Sequence, residues 1–143
     1  LGATEVDLDF NVNVNTHSDG LLLHGIGGHQ DAAAGAGLCV VTAPSFRKRI
    51  PIVRERVTTV STPGEVVDAI VTERGIAVNP RRGELAERAR AAGLPLVGLP
   101  ELMETVRAIT GLPEEPEFGD RPVAVVEWRD GSVLDVVREL VPR

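Results

Sequence analysis

At 143 residues the chain is long enough for one domain with a real core and too short for two comfortable ones. Its formal charge of -6 and the lack of a basic stripe argue against a nucleic-acid scaffold, and no apolar stretch approaches the length of a membrane span. The single cysteine, Cys39, excludes a disulfide framework within the chain; it lies in an apolar run and reads as a small buried hydrophobe, which fits a reducing cytoplasm.

The chain begins at Leu1 inside what reads as structured sequence, with no secretion-signal pattern, so a fragment lacking a natural N-terminal part is expected. Residues 5–16, "EVDLDFNVNVNT", alternate apolar and polar side chains with the period of a half-buried strand. The continuous apolar runs "LLLHGIG" (21–27) and "LCVVTA" (38–43) suit strands buried on both sides. Between them "GGHQDAAAGAG" (27–37) suits a helix or tight turn, with Asp31 in its first turn. Residues 45–55, "SFRKRIPIVRE", are basic and interrupted by proline, as a loop or edge strand would be.

"VTTV" (57–60) is strand-like and "TPGE" (62–65) a turn or helix start. "AIVTERGIAVN" (69–79) reads as two short strands about Arg74 and Gly75, or one bent strand. A helix is predicted from Arg82, with Leu85, Ala89 and Ala92 on one face, Pro80 before it and Gly93 ending it. "LPLVGL" (94–99) reads as a short strand. "PELMETVRAITG" (100–111) reads as a second helix with Leu102, Val106 and Ile109 on one face. "LPEEPEFGDRP" (112–122) is a loop by composition, and residues 123–137 form a hairpin about Asp130 and Gly131 whose second arm also fits a helix. Strands mixed with helices make the class α/β.

The motif that asks for an explanation is "GIGGHQD" (25–31). A dinucleotide fingerprint starting at Gly25 needs glycine where Gln30 stands, and a P-loop needs lysine followed by serine or threonine; neither is present. What remains is a set of backbone N–H groups beside a helix start, able to hold a phosphate or a developing oxyanion, with tight packing and no ligand as the equal alternative. His24, His29 and Asp31 match no standard metal spacing and His17 lies beyond a turn, so no metal is expected. Glu5 reads either as a solvent-facing charge or as a carboxylate that attacks activated acyl groups. The basic pairs at Arg47 with Arg49, and at Arg81 with Arg82, read as solvated surface or as partners for a small anion.

Taken in order, "EVDLDFNVNVNTHSDG", "GIGGHQDAAAGA", "RIPIV", "VTTVSTPGEVVDAIVTERGIAVNPRR" and "RDGSVLDVV" resemble the C-terminal half of the citrate lyase alpha subunit, the citrate CoA-transferase, through essentially the whole chain. More distantly, "EVD", "GIGG" followed by Asp31, and "VTERGIA" resemble the acetyl-CoA hydrolase and transferase family. The resemblance implies an open mixed sheet with flanking helices, of the ribose-phosphate isomerase/CoA-transferase type, spanning residues 1–143 as a single C-terminal domain. It implies exchange of acetyl for citryl on a CoA-like prosthetic group carried by a small gamma (acyl-carrier) subunit, with acetyl-CoA as surrogate and a beta (citryl lyase) subunit as partner.

Residue by residue, the same resemblance places Gly25, Gly27, Gly28, His29 and Asp31 at the acyl-CoA site. It places Glu5 at the position of a glutamate that related transferases use as nucleophile; here Glu5 either bonds covalently or orients citrate. Glu73 and Asn79 match a supporting segment. Citrate carries three carboxylates, so Arg47, Arg49, Arg81 and Arg82 are the candidates to bind them, by charge complementarity. Two rivals stand beside this reading: a CoA-transferase or acyl-CoA hydrolase for another small acid, which would share the glycine loop and Glu5, and a non-catalytic domain of the same fold.

Overall fold

A computed structural model describes residues 1–112 and 114–141; Pro113, within the expected 112–122 loop, lies outside the described residues. The first alternating segment is not one strand. β1 (Glu5–Asp7) folds back into β2 (Val12–Asn13), antiparallel with Val6 opposite Val12. The reversal is built by Asp7, whose Oδ1 accepts the N–H of Asp9 at 3.0 Å and of Asn11 at 2.9 Å, while Phe10 takes a φ of 66° between them. The alternation misled because β1 and β2 bury both faces: Glu5, Asp7 and Asn13 are as deeply enclosed as Val6 and Val12.

The basic segment also turns on itself. β4 (Phe46–Arg47) pairs antiparallel with β5 (Ile50–Pro51) across Lys48, whose φ is 57°. After Ile52 comes β6 (Val53–Arg54), parallel to β1, which completes a three-stranded sheet in the order β2-β1-β6. A 3-10 turn at Gly64–Val66 then packs against the β1–β2 reversal. A Cβ on Gly64 would stand 1.9 Å from the Asp9 carbonyl oxygen, so only glycine allows that approach.

The second sheet contains β3 (Val40–Thr42), β7 (Ala69–Thr72) and β8 (Gly75–Val78), in the order β3-β7-β8; the β7–β8 hairpin turns on Glu73 and Arg74, one residue before the expected Arg74 and Gly75, and Gly75 opens β8. The helices are α1 (His29–Gly35), α2 (Gly83–Ala91) and α3 (Leu99–Thr110). α3 buries Leu99, Leu102, Met103 and Val106, spaced three and four apart, in the core formed with Val6, Val12, Val41 and Ile70. Its stripe ends on Thr110 rather than on the expected Ile109, which is exposed, and in α2 only Ala89 of the expected face is buried. Gly93 and Gly111, at φ of 71° and 77°, stop α2 and α3 as their sequences predict.

Three expected strands are corrected. Residues 21–27 form none: Leu21, Leu22 and Leu23 are exposed, and the segment contributes one isolated antiparallel bridge, Leu22 to Thr16, made by His17 N–H to Leu21 O and Leu23 N–H to Asn15 O. Residues 57–60 bend instead of extending, and residues 94–99 contribute one bridge, Leu96 to Ile76. Conversely, the expected loop at 112–122 is half strand. β9 (Phe118–Glu127) begins inside it and pairs with β10 (Val133–Leu140), which settles the ambiguous second arm as strand. Among the described residues β9 pairs with β10 alone, and its other edge tolerates Pro122, which loop-like composition disguised. The class is therefore mixed α/β, but the β structure is divided among small sheets, not gathered in one open sheet.

Candidate functional site

Glu5 is wholly buried, and both of its carboxylate oxygens are engaged twice. Oε1 accepts from Arg54 Nη1 at 2.7 Å and from the Thr58 hydroxyl at 3.0 Å; Oε2 accepts from Asn13 Nδ2 at 2.8 Å and from the Thr58 N–H at 2.7 Å. Burial is the strongest single influence on this carboxyl and opposes its ionisation. The Asn13 amide, the Arg54 charge and the Thr58 N–H together outweigh it and hold the pKa below the ordinary value of 4.5, so Glu5 is a carboxylate at neutral pH. Burial likewise opposes the charge on Arg54, and Glu5 with Glu115 reverses the balance and raises its pKa.

From Glu5 the polar network runs inward. Asn13 Nδ2 also donates to Thr16 Oγ1 at 2.8 Å, which donates to Thr59 Oγ1 at 3.0 Å; Asn13 Oδ1 accepts the N–H groups of Asn15 and Thr16, each at 3.0 Å. Ser61 Oγ donates to Asn15 Oδ1 at 2.5 Å, and Asn15 Nδ2 donates to the His24 carbonyl at 3.0 Å. Gln30 of α1 reaches the same place by donating to Ser61 O at 2.9 Å. Glu5 and the glycine loop are therefore joined through Asn13, Asn15 and Ser61, although no hydrogen bond links Glu5 to Gly27 or Gly28 directly.

The loop itself is open. Gly25, Gly27 and Gly28 are exposed, and a Cβ added to any of them meets nothing within 4 Å, so tight packing inside the described chain does not explain them. Gly27, at φ 58°, has a conformational reason to be glycine; Gly25 and Gly28 have none. His29 fixes the helix that follows. Its Nε2 lies 3.0 Å from the Gly2 carbonyl, an acceptor only, so Nε2 carries the proton and Nδ1 accepts from the Thr62 hydroxyl at 2.8 Å. Burial lowers its pKa, keeping the ring neutral. Asp31 pairs with Arg129 at 2.7 Å, which ties α1 to the β9–β10 turn.

The remaining sequence candidates fall into separate places. Glu73 accepts the Ser45 N–H at 2.9 Å and the Ser45 hydroxyl, bracing the chain before β4. Asn79 is buried and donates to Gly64 O at 2.9 Å and Val67 O at 2.8 Å, clamping the 3-10 turn to the end of β8. Arg82 pairs with the buried Asp68, which also accepts the Cys39 N–H; Arg81 and Arg82 line a cleft of 580 Å³ together with Arg88. Arg47 and Arg49 are exposed on the β4–β5 hairpin, and neither lines the cleft of Arg81 and Arg82. Among the described residues, no group of three His, Cys, Asp or Glu side chains is placed to hold a metal, and no helix is long and apolar enough to cross a membrane.

Known proteins place this architecture. The family described as citrate lyase, alpha subunit (CitF) matches residues 1–140. The chain belongs to the citrate lyase alpha subunit family. Over 140 residues, 98% of this chain, it is 54% identical to the citrate lyase alpha chain of Klebsiella pneumoniae and 51% identical to that of Escherichia coli K12. The crystal structure of an alpha subunit of citrate lyase from Streptococcus mutans, in complex with citrate, superposes with a TM-score of 0.96 at 46% identity, covering 99% of this chain. In each of these three the chain spans 28% of the relative's length.

Within this citrate lyase alpha subunit segment, sequence reasoning passed over Arg54, Asn13 and Thr58, which hold Glu5. A signal for Asn13 was present. Three asparagines alternate with valines in "NVNVN", and polar side chains on a strand buried on both faces must find one another. Arg54 carried no comparable mark, because a cation after "PIV" reads as the solvent end of an edge strand.

Proposed function

We propose that the chain is one C-terminal domain, of CoA-transferase type, in a citrate CoA-transferase subunit. That subunit exchanges acetyl for citryl on a CoA-like thioester carrier: acetyl-carrier and citrate become citryl-carrier and acetate. Family agreement over residues 1–140 carries the reading, and a glycine loop that the described chain leaves unpacked supports it. The beta and gamma subunits of citrate lyase are the expected partners, and the cytoplasm the expected compartment.

The carrier's prosthetic group, or acetyl-CoA in its place, supplies an activated acyl carbonyl. Gly25, Gly27 and Gly28 suit its approach because nothing within the chain crowds them, and their N–H groups are candidates to meet the oxygen on which charge develops. His29 and Asp31 hold the following helix in place through Thr62, Gly2 and Arg129. Glu5 acts in this reading as a positioning residue. A nucleophile needs a free lone pair and a path to the acyl carbon, whereas both Glu5 oxygens are bonded and buried. Glu73 and Asn79 brace the neighbouring turns, and Arg47, Arg49, Arg81 and Arg82 stay candidates for citrate carboxylates.

Carbon-labelled citrate tests the exchange. With acetyl-CoA and the complete polypeptide, label is expected to enter a thioester while acetate is released in equal amount. Acetyl-CoA consumed with all label left in free acid would make the protein an acyl-CoA hydrolase instead.

A further inference from the structure

Glu5 and Thr58 engage only one nitrogen of the Arg54 guanidinium. Nη1 donates to Glu5 Oε1 at 2.7 Å and to Thr58 Oγ1 at 3.3 Å, while Nη2 donates to Glu115 Oε1 at 2.5 Å. The two acids differ sharply in setting: the Glu5 side chain is 0% exposed and that of Glu115 is 73% exposed. Arg54, at 7% exposure, is thus a buried cation fixed from the inside by a permanent partner and met from the outside by a carboxylate within reach of water.

Glu5 alone balances the Arg54 charge, and an exposed second acid adds little stability. A guanidinium whose inner nitrogen is locked and whose outer nitrogen is offered to an acid is instead preorganised to receive a carboxylate, because its desolvation and orientation are already provided for. The surroundings fit such a ligand. Arg54, Arg56, Arg107 and Glu115 line one cleft of 310 Å³. Arg107 pairs with Glu55 at 3.0 Å, whereas Arg56 makes no ion pair among the described residues, so the cleft keeps a cation available for a second carboxylate.

We infer that Arg54 anchors a carboxylate-binding site and that Glu115 supplies, from within the chain, the carboxylate this site is built to receive from a small polycarboxylic acid. That the acid is citrate rests on the function proposed above. The carboxylate class rests on the cleft itself. A ligand carboxylate replaces the Glu115 oxygen on Nη2 and leaves the Glu5–Arg54 pair intact.

Calorimetric titration of the complete polypeptide with citrate tests this in Glu115→Gln, with Glu117→Gln as the charge control; Glu117 is exposed and its side chain makes no ion pair among the described residues. Removing the internal competitor is expected to tighten citrate binding about two- to tenfold, against less than about twofold in the control. Equal effects in the two variants, or weaker binding in Glu115→Gln, would overturn the proposal. Should citrate not bind while Glu115→Gln still tightens another small di- or tricarboxylate, the citrate reading fails and the Arg54 site stands.

Discussion

Glu5 and Asn13 stand directly opposite one another in the β1–β2 pairing, and Asn13 Nδ2 donates to Glu5 Oε2 at 2.8 Å. The same asparagine satisfies Thr16 Oγ1 and the N–H groups of Asn15 and Thr16. Asn13→Ala removes all of these partners at a site with no access to water. It is expected to cost about 2–4 kcal/mol in urea unfolding, the range for breaking a buried polar network. A loss below about 0.5 kcal/mol would show that the network does not hold the domain together.

The Glu5 carboxyl sets the sign of a pH effect. Its folded pKa is lower than its unfolded value near 4.5, so its contribution to stability is present above pH 4.5 and is lost as pH falls through the folded pKa. Glu5→Gln carries no such contribution. Unfolding free energies measured from pH 6 downward are expected to show wild type above the variant, with the gap narrowing below pH 4.5. A gap that stayed constant would mean that Glu5 is not held as a carboxylate. Asp7 works in the opposite sense, since burial raises its pKa against the pull of the Val57, Asn11 and Asp9 N–H groups and the Asn11 amide; comparing the two proteins cancels it.

His29 gives a local readout. Nitrogen-detected NMR is expected to show the Nε2–H tautomer and a titration midpoint below 6.5, because burial disfavours the charged ring. A midpoint above 6.5 would contradict the contacts assigned to it.

The positioning role of Glu5 separates from a nucleophilic one by trapping. With acetyl-CoA present, borohydride would reduce a glutamyl thioester and mark the residue that formed it; no mark is expected at Glu5. Glu5→Gln is expected to raise KM for citrate and to retain measurable kcat, because a disturbed Arg54 weakens binding first. A reduced Glu5, or a kcat lower by about 1,000-fold or more at unchanged KM, would restore the nucleophile.

Local chemistry was readable where one residue type enforces one geometry. Gly93 and Gly111 mark the ends of α2 and α3, and Gly75, at a φ of 149°, marks the start of β8 just after the Glu73 and Arg74 turn. Longer-range relations were not. The strand expected over residues 5–16 breaks because the Asp7 carboxylate bonds to Asp9 and Asn11, a competition that an alternating pattern does not display. Leu21, Leu22 and Leu23 look like core by composition and lie at the surface, since burial depends on what packs against them. The glycine loop was legible as a motif, but only the empty space around Gly25 and Gly28 separates a ligand approach from a packing contact. Arg54 became visible only when the parallel β1–β6 pairing set it beside Glu5.

Gly28 and Gly64 allow the most direct test of that separation. Gly28→Ala in the complete polypeptide is expected to keep stability within about 1 kcal/mol, because its Cβ meets nothing within 4 Å. Citrate-dependent release of acetate from acetyl-CoA is expected to fall about 100-fold or more as the methyl group obstructs the thioester. Gly64→Ala, forced against the Asp9 carbonyl, is expected instead to lose about 3 kcal/mol or more of stability. Gly28→Ala turning over citrate at the wild-type rate, with its stability intact, would contradict the assignment of the glycine loop to the acyl carrier.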